Sequence, residues 1–336
     1  MLKRGNILLT GLLLLMAVCG LTACSQDDAL DEESWSGGLQ VMGLTRADMS
    51  ATPVSDAATA GYSSIKLFLA NRMGTTSGNF SYKDNCWKSS MQVEAGTSYN
   101  IYGYTPLNAA TGTLTNATDV GATLTLSDVS TVQVQDVCVV VGVQQLDTPS
   151  DAADLRQGMF AFTGKAEGEN FVRLLIDHVM ASVHFQMTLD SEYALLRSIK
   201  LKRMELSATA GRATITVPLT HGTGNVSPIG NVTYATSGSS ASAVFFSSNE
   251  GVTLSDTRVT EANCCFVPTL SSALTLTTTY EVYDRKGHFI GERTASNKLN
   301  LNASRGQRIA LNLVISPTYL NVLSAPDLDF PDITIN

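Results

Sequence analysis

Four histidines (His178, His184, His221 and His288) and six cysteines are the side chains of this 336-residue chain best suited to metal or nucleophilic chemistry. Their spacing forms no known device: there is no HExxH, no CxxC and no paired-ligand arrangement. Cys264 and Cys265 are neighbours, so in a strand they point to opposite faces and a bond between them is strained. With Cys86 and Cys138 they read as small apolar packing residues, and a zinc reading fails for want of a second Cys or His at ligand spacing. On one continuous strand His178 and His184 would lie roughly 20 Å apart, too far to share a metal. No GxSxG elbow, phosphate loop or glycine fingerprint occurs, and Asp327, Asp329 and Asp332 lack the Gly and closing Glu of a calcium loop. The expectation is a chain that is not an enzyme and takes no metal or cofactor.

The covalent chemistry that the sequence does announce is at Cys24. Lys3 and Arg4 give a positive start, and Ile7 to Ala23 form an apolar segment too short and Gly-interrupted for a comfortable membrane span. Leu21-Thr22-Ala23-Cys24 then ends it with a cysteine that bacterial export machinery cleaves before and acylates. Ser25-Gln26-Asp27-Asp28 and Asp31-Glu32-Glu33 follow as an acidic leader resembling the surface-export signal of Bacteroidetes lipoproteins, and Ser25 is no inner-membrane retention signal. Several acyl chains at about 0.8 kcal/mol per buried methylene hold a protein firmly, so the expected precursor is lipid-anchored in the outer membrane.

Inside the leader Leu39, Val41 and Leu44 mark a short apolar strand, followed at once by Thr45-Arg46-Ala47. An exposed arginine just after a strand is where a trypsin-like protease cuts, between Arg46 and Ala47. The whole chain is 44% hydrophobic and 15% charged, with net charge −8 and no basic face, which excludes nucleic acid as a partner and fits about two globular domains. Trp35 lies in the leader, leaving Trp87 as a poor inventory for stacking sugar rings.

The elements that must position these residues are strands. Leu274, Leu276, Thr278, Tyr280 and Val282 alternate with Thr275 to Tyr283, and Asp284-Arg285-Lys286-Gly287 turns the chain back through His288 to Thr294. The same device at Ser304-Arg305-Gly306-Gln307 leads into Ile309, Leu311, Leu313 and Ile315, so antiparallel, half-exposed sheets are expected. Further strands read at 64–70, 99–104, 136–143, 159–163, 171–175, 182–189, 199–207, 212–217, 243–247 and 264–268, with one short helix at 191–198. Gly222 to Ser242 reads as a surface loop with a weak strand at Val232 to Ala235. This is an all-β chain of β-sandwiches, with a boundary near 186–192.

At the C-terminus Pro317-Thr318-Tyr319-Leu320-Asn321-Val322-Leu323 and Asp332-Ile333-Thr334-Ile335-Asn336 are strand-like pieces, and Pro326 and Pro331 prevent one continuous central strand. Together with the lipobox at Cys24, the leader, the strand before Arg46 and the Leu299 to Ile315 hairpin, this tail resembles that of the fimbrillins, the major and accessory pilins of Bacteroidetes type V pili. The resemblance implies two tandem antiparallel sandwiches of Greek-key, transthyretin-like type. The corresponding division is 1–23 signal peptide, 24–46 leader and removable strand, 47–188 and 189–316 sandwiches, and 317–336 donor tail. It also implies cleavage after Arg46, loss of the strand carrying Leu39, Val41 and Leu44, and donor-strand exchange by another subunit's Leu320, Val322, Leu323, Ile333 and Ile335. The partners are then copies of itself or related pilins and a trypsin-like protease, and the place is the outer membrane, then a fimbria supporting adhesion. The alternative is a non-polymerising surface lipoprotein that binds a glycan or host protein.

Overall fold

The computed structural model describes residues 37–46, 62–152, 154–222 and 226–316. In chain order its strands are β1 (Leu39–Arg46), β2 (Ser64–Asn71), β3 (Gly74–Lys83), β4 (Cys86–Lys88), β5 (Ser98–Thr105), β6 (Thr111–Thr118), β7 (Gly121–Ser130) and β8 (Val132–Gln133). They continue as β9 (Cys138–Leu146), β10 (Ala161–Thr163), β11 (Asn170–His178) and β12 (Ala181–Leu189), and after the short helix α1 (Ser191–Ala194) as β13 (Ser198–Ala208) and β14 (Arg212–Thr220). The last are β15 (Thr233–Ser237), β16 (Ala241–Thr253), β17 (Thr260–Phe266), β18 (Leu274–Tyr283), β19 (Phe289–Leu299) and β20 (Arg308–Ile315). The protein is all-β.

The first sheet runs β10-β5-β2-β3-β4-β1-β11-β9 and then returns on itself, because Val139 and Cys138 of β9 pair with Tyr104 and Thr105 of β5. Closure removes the open edges that a flat sheet would expose. Period-two alternation then splits each strand between two cores. On β2, Ile65, Leu67 and Leu69 point into the ring, while Phe68 and Ala70 point out of it; on β9, Cys138, Val140 and Val143 face in and Val139 and Val141 face out. The inner core centres on Leu39, Val41, Phe80, Trp87, Ile101 and Leu174. The outer face joins a second core shared with three four-stranded sheets, β20-β12-β17-β8, β16-β13-β18-β19 and β15-β14-β7-β6.

Several expectations need correction. Two pairings are parallel: β1 with β11 and β12 with β20. Leu299 to Ile315 is not a hairpin, because β19 pairs with β18 whereas β20, after the turn at Ser304 to Gln307, crosses to the edge beside β12. His178 ends β11 and His184 lies on β12, so they never share a strand. The helix is one turn, capped by the Asp190 carboxylate, which accepts from the Tyr193 N–H at 2.9 Å. The β6–β7 hairpin pairs with β14, so one sheet draws strands from both sides of residues 186–192.

The adjacent thiols Cys264 and Cys265 are both buried and both reduced, on opposite faces of β17. Burial pushes the Cys264 thiol up to about 12 and raises that of Cys265 too. In the unfolded chain they ionise from about pH 8.5, so their contribution is complete below that pH and is lost as pH climbs towards 12. The unfolding free energy from urea titration is expected to be lower at about pH 10 than at about pH 7, falling above about pH 8.5 by up to about 1.4 kcal/mol per pH unit for each thiol that keeps its proton. Equal free energies would mean that the folded protein ionises them as readily as the unfolded chain.

Candidate functional site

The residue types of Leu39-Gln40-Val41-Met42-Gly43-Leu44-Thr45-Arg46 explain where β1 sits. A strict alternation starting at Leu39 would bury residue 43 and expose Leu44. The ladder with β11 slips between Val41 and Gly43, leaving Met42 as an extra residue, and this resets the phase so that Leu44 turns inward. Leu39, Val41 and Leu44 are 0%, 0% and 1% exposed. At about 1.5–3 kcal/mol for each fully buried aliphatic side chain they contribute roughly 5–9 kcal/mol, comparable to the whole net stability of a typical domain.

The two flanks of β1 hold it unequally. On one side the parallel register runs from Leu39↔Asn170 to Arg46↔Ile176. On the other, only Val41↔Trp87 pairs with β4, with Gly38↔Gln92 and the Leu39 N–H donating to the Met91 carbonyl at 3.2 Å nearby. Trp87 is buried against this flank, its indole N–H donating to the Tyr62 carbonyl at 2.7 Å, so it forms no exposed platform for a sugar. Strand β1 is thus a central strand, and its departure uncovers the β11 edge and an apolar slot together.

Arg46 is not the exposed arginine read from the sequence. Its Nη2 donates to Tyr62 Oη at 3.1 Å, its guanidinium lies 5.7 Å from the Tyr62 ring centre, and its buried Nε meets no acceptor among the described residues. Burial opposes the Arg46 charge, but Tyr62, Cys138 and Asp136 outweigh it and raise the pKa. Burial first, and then Cys138 and Asp136, raise the Tyr62 phenol as well. A protease needs an extended, accessible segment, so a cut after Arg46 would require the end of β1 to open first.

Beneath Tyr62 lies a cluster that sequence spacing did not reveal. Tyr62 Oη is 3.5 Å from Cys138 Sγ, which is 3.4 Å from Asp136 Oδ2 and 3.6 Å from His178 Nδ1, while His178 Nδ1 also meets Asp136 Oδ2. Cys138 and His178 are direct cross-strand partners on β9 and β11. Arg305, in the turn before β20, bonds Asp177 Oδ2 at 2.7 Å and the His178 carbonyl at 2.8 Å, tying this end of the ring to the second half of the chain. The other histidines serve locally: His184 meets Asn263, His221 meets Tyr102 Oη, and His288 meets Asp284 in its turn. Gly222 to Ser242 includes β15, which pairs with β14.

Of the residues singled out from sequence, the structure brings Leu39, Val41, Leu44 and Arg46 together on one strand. Cys24, Ala47, Leu320, Val322, Leu323, Ile333 and Ile335 lie outside the described residues. No protein-family model and no curated protein matches the chain. Among solved structures it is similar to a fimbrial protein from Bacteroides vulgatus at 11% identity, covering 83% of this chain and 95% of that one with a TM-score of 0.37. It is also similar to a candidate cell adhesion protein from Bacteroides fragilis at 11% identity, with 84% and 93% covered and a TM-score of 0.40. A third, a candidate cell adhesion protein from Bacteroides uniformis, is 15% identical, with 84% and 93% covered and a TM-score of 0.35.

Replacing Leu44→Ala empties a site that is fully enclosed by the ring and is expected to cost about 2–5 kcal/mol, read as a lower urea midpoint at unchanged slope. A loss under about 0.5 kcal/mol would show that β1 is dispensable to the fold.

Proposed function

We propose that the protein is a structural pilin of a type V fimbria, non-enzymatic, delivered as a lipoprotein acylated at Cys24 and cut after Arg46. The released strand takes Leu39, Val41 and Leu44 with it, and the tail of another copy or a related pilin fills the slot. Residues 47–188 and 189–316 form the body of the subunit in this reading, and 317–336 is the donor.

The observation that carries the reading is that β1, the segment ending at the arginine, is an internal strand of a closed ring whose removal opens both a backbone edge and a matching apolar slot. An unpaired edge of that kind recruits another strand, and a donor with alternating apolar residues restores both ladder and core. Because donor and acceptor are different surfaces, the contact does not close on itself and propagates as a filament at the cell surface.

N-terminal sequencing of surface-shed protein is expected to begin at Ala47. Arg46→Ala is expected to leave the strand attached and to abolish polymers on a denaturant-free gel, and deletion of 317–336 to give monomers that are still cleaved. Shed protein that retains residues 25–46, or normal filaments without the tail, would overturn the reading in favour of a monomeric surface lipoprotein.

A further inference from the structure

We propose that Asp136, Cys138 and His178 form a zinc site at the end of the ring, built by the start of β9 and the end of β11, which meet only in the folded chain. Asp136 leads into β9, Cys138 opens it, and His178 closes the neighbouring β11. One ligand atom from each lies within 4.8 Å of the other two. Zinc–sulfur bonds of about 2.3 Å and zinc–nitrogen or zinc–oxygen bonds of about 2.0–2.2 Å give tetrahedral edges of about 3.5 Å between sulfur and the lighter ligands. The observed separations from Cys138 Sγ, 3.4 Å to Asp136 Oδ2 and 3.6 Å to His178 Nδ1, already match two of those edges. The third pair, His178 and Asp136, touches directly, and a metal between them replaces that contact with two bonds.

The chemistry of the set is selective. One thiolate, one imidazole and one carboxylate suit zinc and its borderline-soft neighbours, whereas magnesium and calcium want oxygen alone. The Cys138 residue is fully buried, while the side chains of His178 and Asp136 are 13% and 17% exposed, so the cluster is largely shielded from solvent and reached through its two partly exposed members. With three protein ligands, a water would be the fourth, the arrangement of an open rather than a closed zinc site. Binding displaces the thiol proton to solvent, after which thiolate and carboxylate balance the two charges of the ion. Arg305, through Asp177 and the His178 carbonyl, fixes the backbone that carries the imidazole, the kind of outer support that metal-bound histidines use. The inference rests on this geometry alone and does not depend on strand exchange.

The test is a cobalt titration of the reduced full-length chain, followed by displacement with zinc. Expected is one equivalent bound, with a thiolate-to-cobalt absorption band that zinc abolishes. Asp136→Asn and His178→Gln should each weaken binding by at least about 10–100-fold, and Cys138→Ser should remove the band. The His288→Gln variant, changed in a surface turn, should bind like the parent. Should Cys138→Ser fail to fold, the two partly exposed positions decide. Absence of saturable binding, or equal affinity in the parent, Asp136→Asn and His178→Gln, would overturn the site and leave a hydrogen-bonded cluster.

Discussion

The ladder between β1 and β11 is the interaction on which the first half of this protein depends. A ring of strands has no spare member, since each one fills a share of the interior and satisfies two neighbours. Strand β1 supplies three wholly buried side chains and the partner for β11 along nearly its whole length, yet it comes from the start of the chain and runs parallel to its neighbour. Parallel neighbours need a long connection, and here that connection is the entire run from residue 47 to residue 169. The fold therefore places a structurally essential strand ahead of the long connection to its main partner, β11.

Period-two alternation made most of this architecture legible in the sequence. Strands β12, β13, β14 and β18 show it openly, because each has a core face and a wetter face, whereas β2 and β5 lie between two cores and read as nearly continuous apolar runs. Strand β7 escaped although Ala122, Leu124 and Leu126 alternate on it, and two further kinds of element carry no signal that a local reading could use. Strands β3 and β6, Gly74-Thr75-Thr76-Ser77-Gly78 and Thr111-Gly112-Thr113 at their starts, are polar on nearly every residue and carry no apolar rhythm. Parallel partners escaped for a different reason: a turn such as Ser304 to Gln307 signals reversal locally, but says nothing of whether the next strand pairs with the last one or with β12.

The candidate sites divide along the same line. Leu39, Val41, Leu44 and Arg46 are contiguous, so a short window shows both the apolar strand and its basic end. The Asp136, Cys138 and His178 cluster has only the i, i+2 pair of Asp136 and Cys138 in sequence, and its third member arrives through the β9–β11 ladder. Local spacing is the wrong test for ligands contributed by cross-strand neighbours. The exposure of Arg46 was misread for a related reason, since its partner Tyr62 belongs to the next segment and lies beneath the end of β1 only after the ring closes.

These contacts also bear on why a covalent cut would matter. While β1 is attached through residues 47–61, it returns to its own slot at an effective concentration on the order of millimolar for a short tether. Any strand that was to replace β1 would compete against that return, against the buried side chains of β1 and against the Arg46–Tyr62 contact at its end. Cleavage changes none of the contacts within the slot. In the proposed reading it would remove the tether, so that a β1 that has once opened would diffuse away instead of rebinding, leaving the β11 edge to another strand. Held by a full ladder to β11 on one flank but by only the Val41↔Trp87 pair, the Gly38↔Gln92 bridge and a few backbone hydrogen bonds on the other, β1 is joined more weakly on its β4 side.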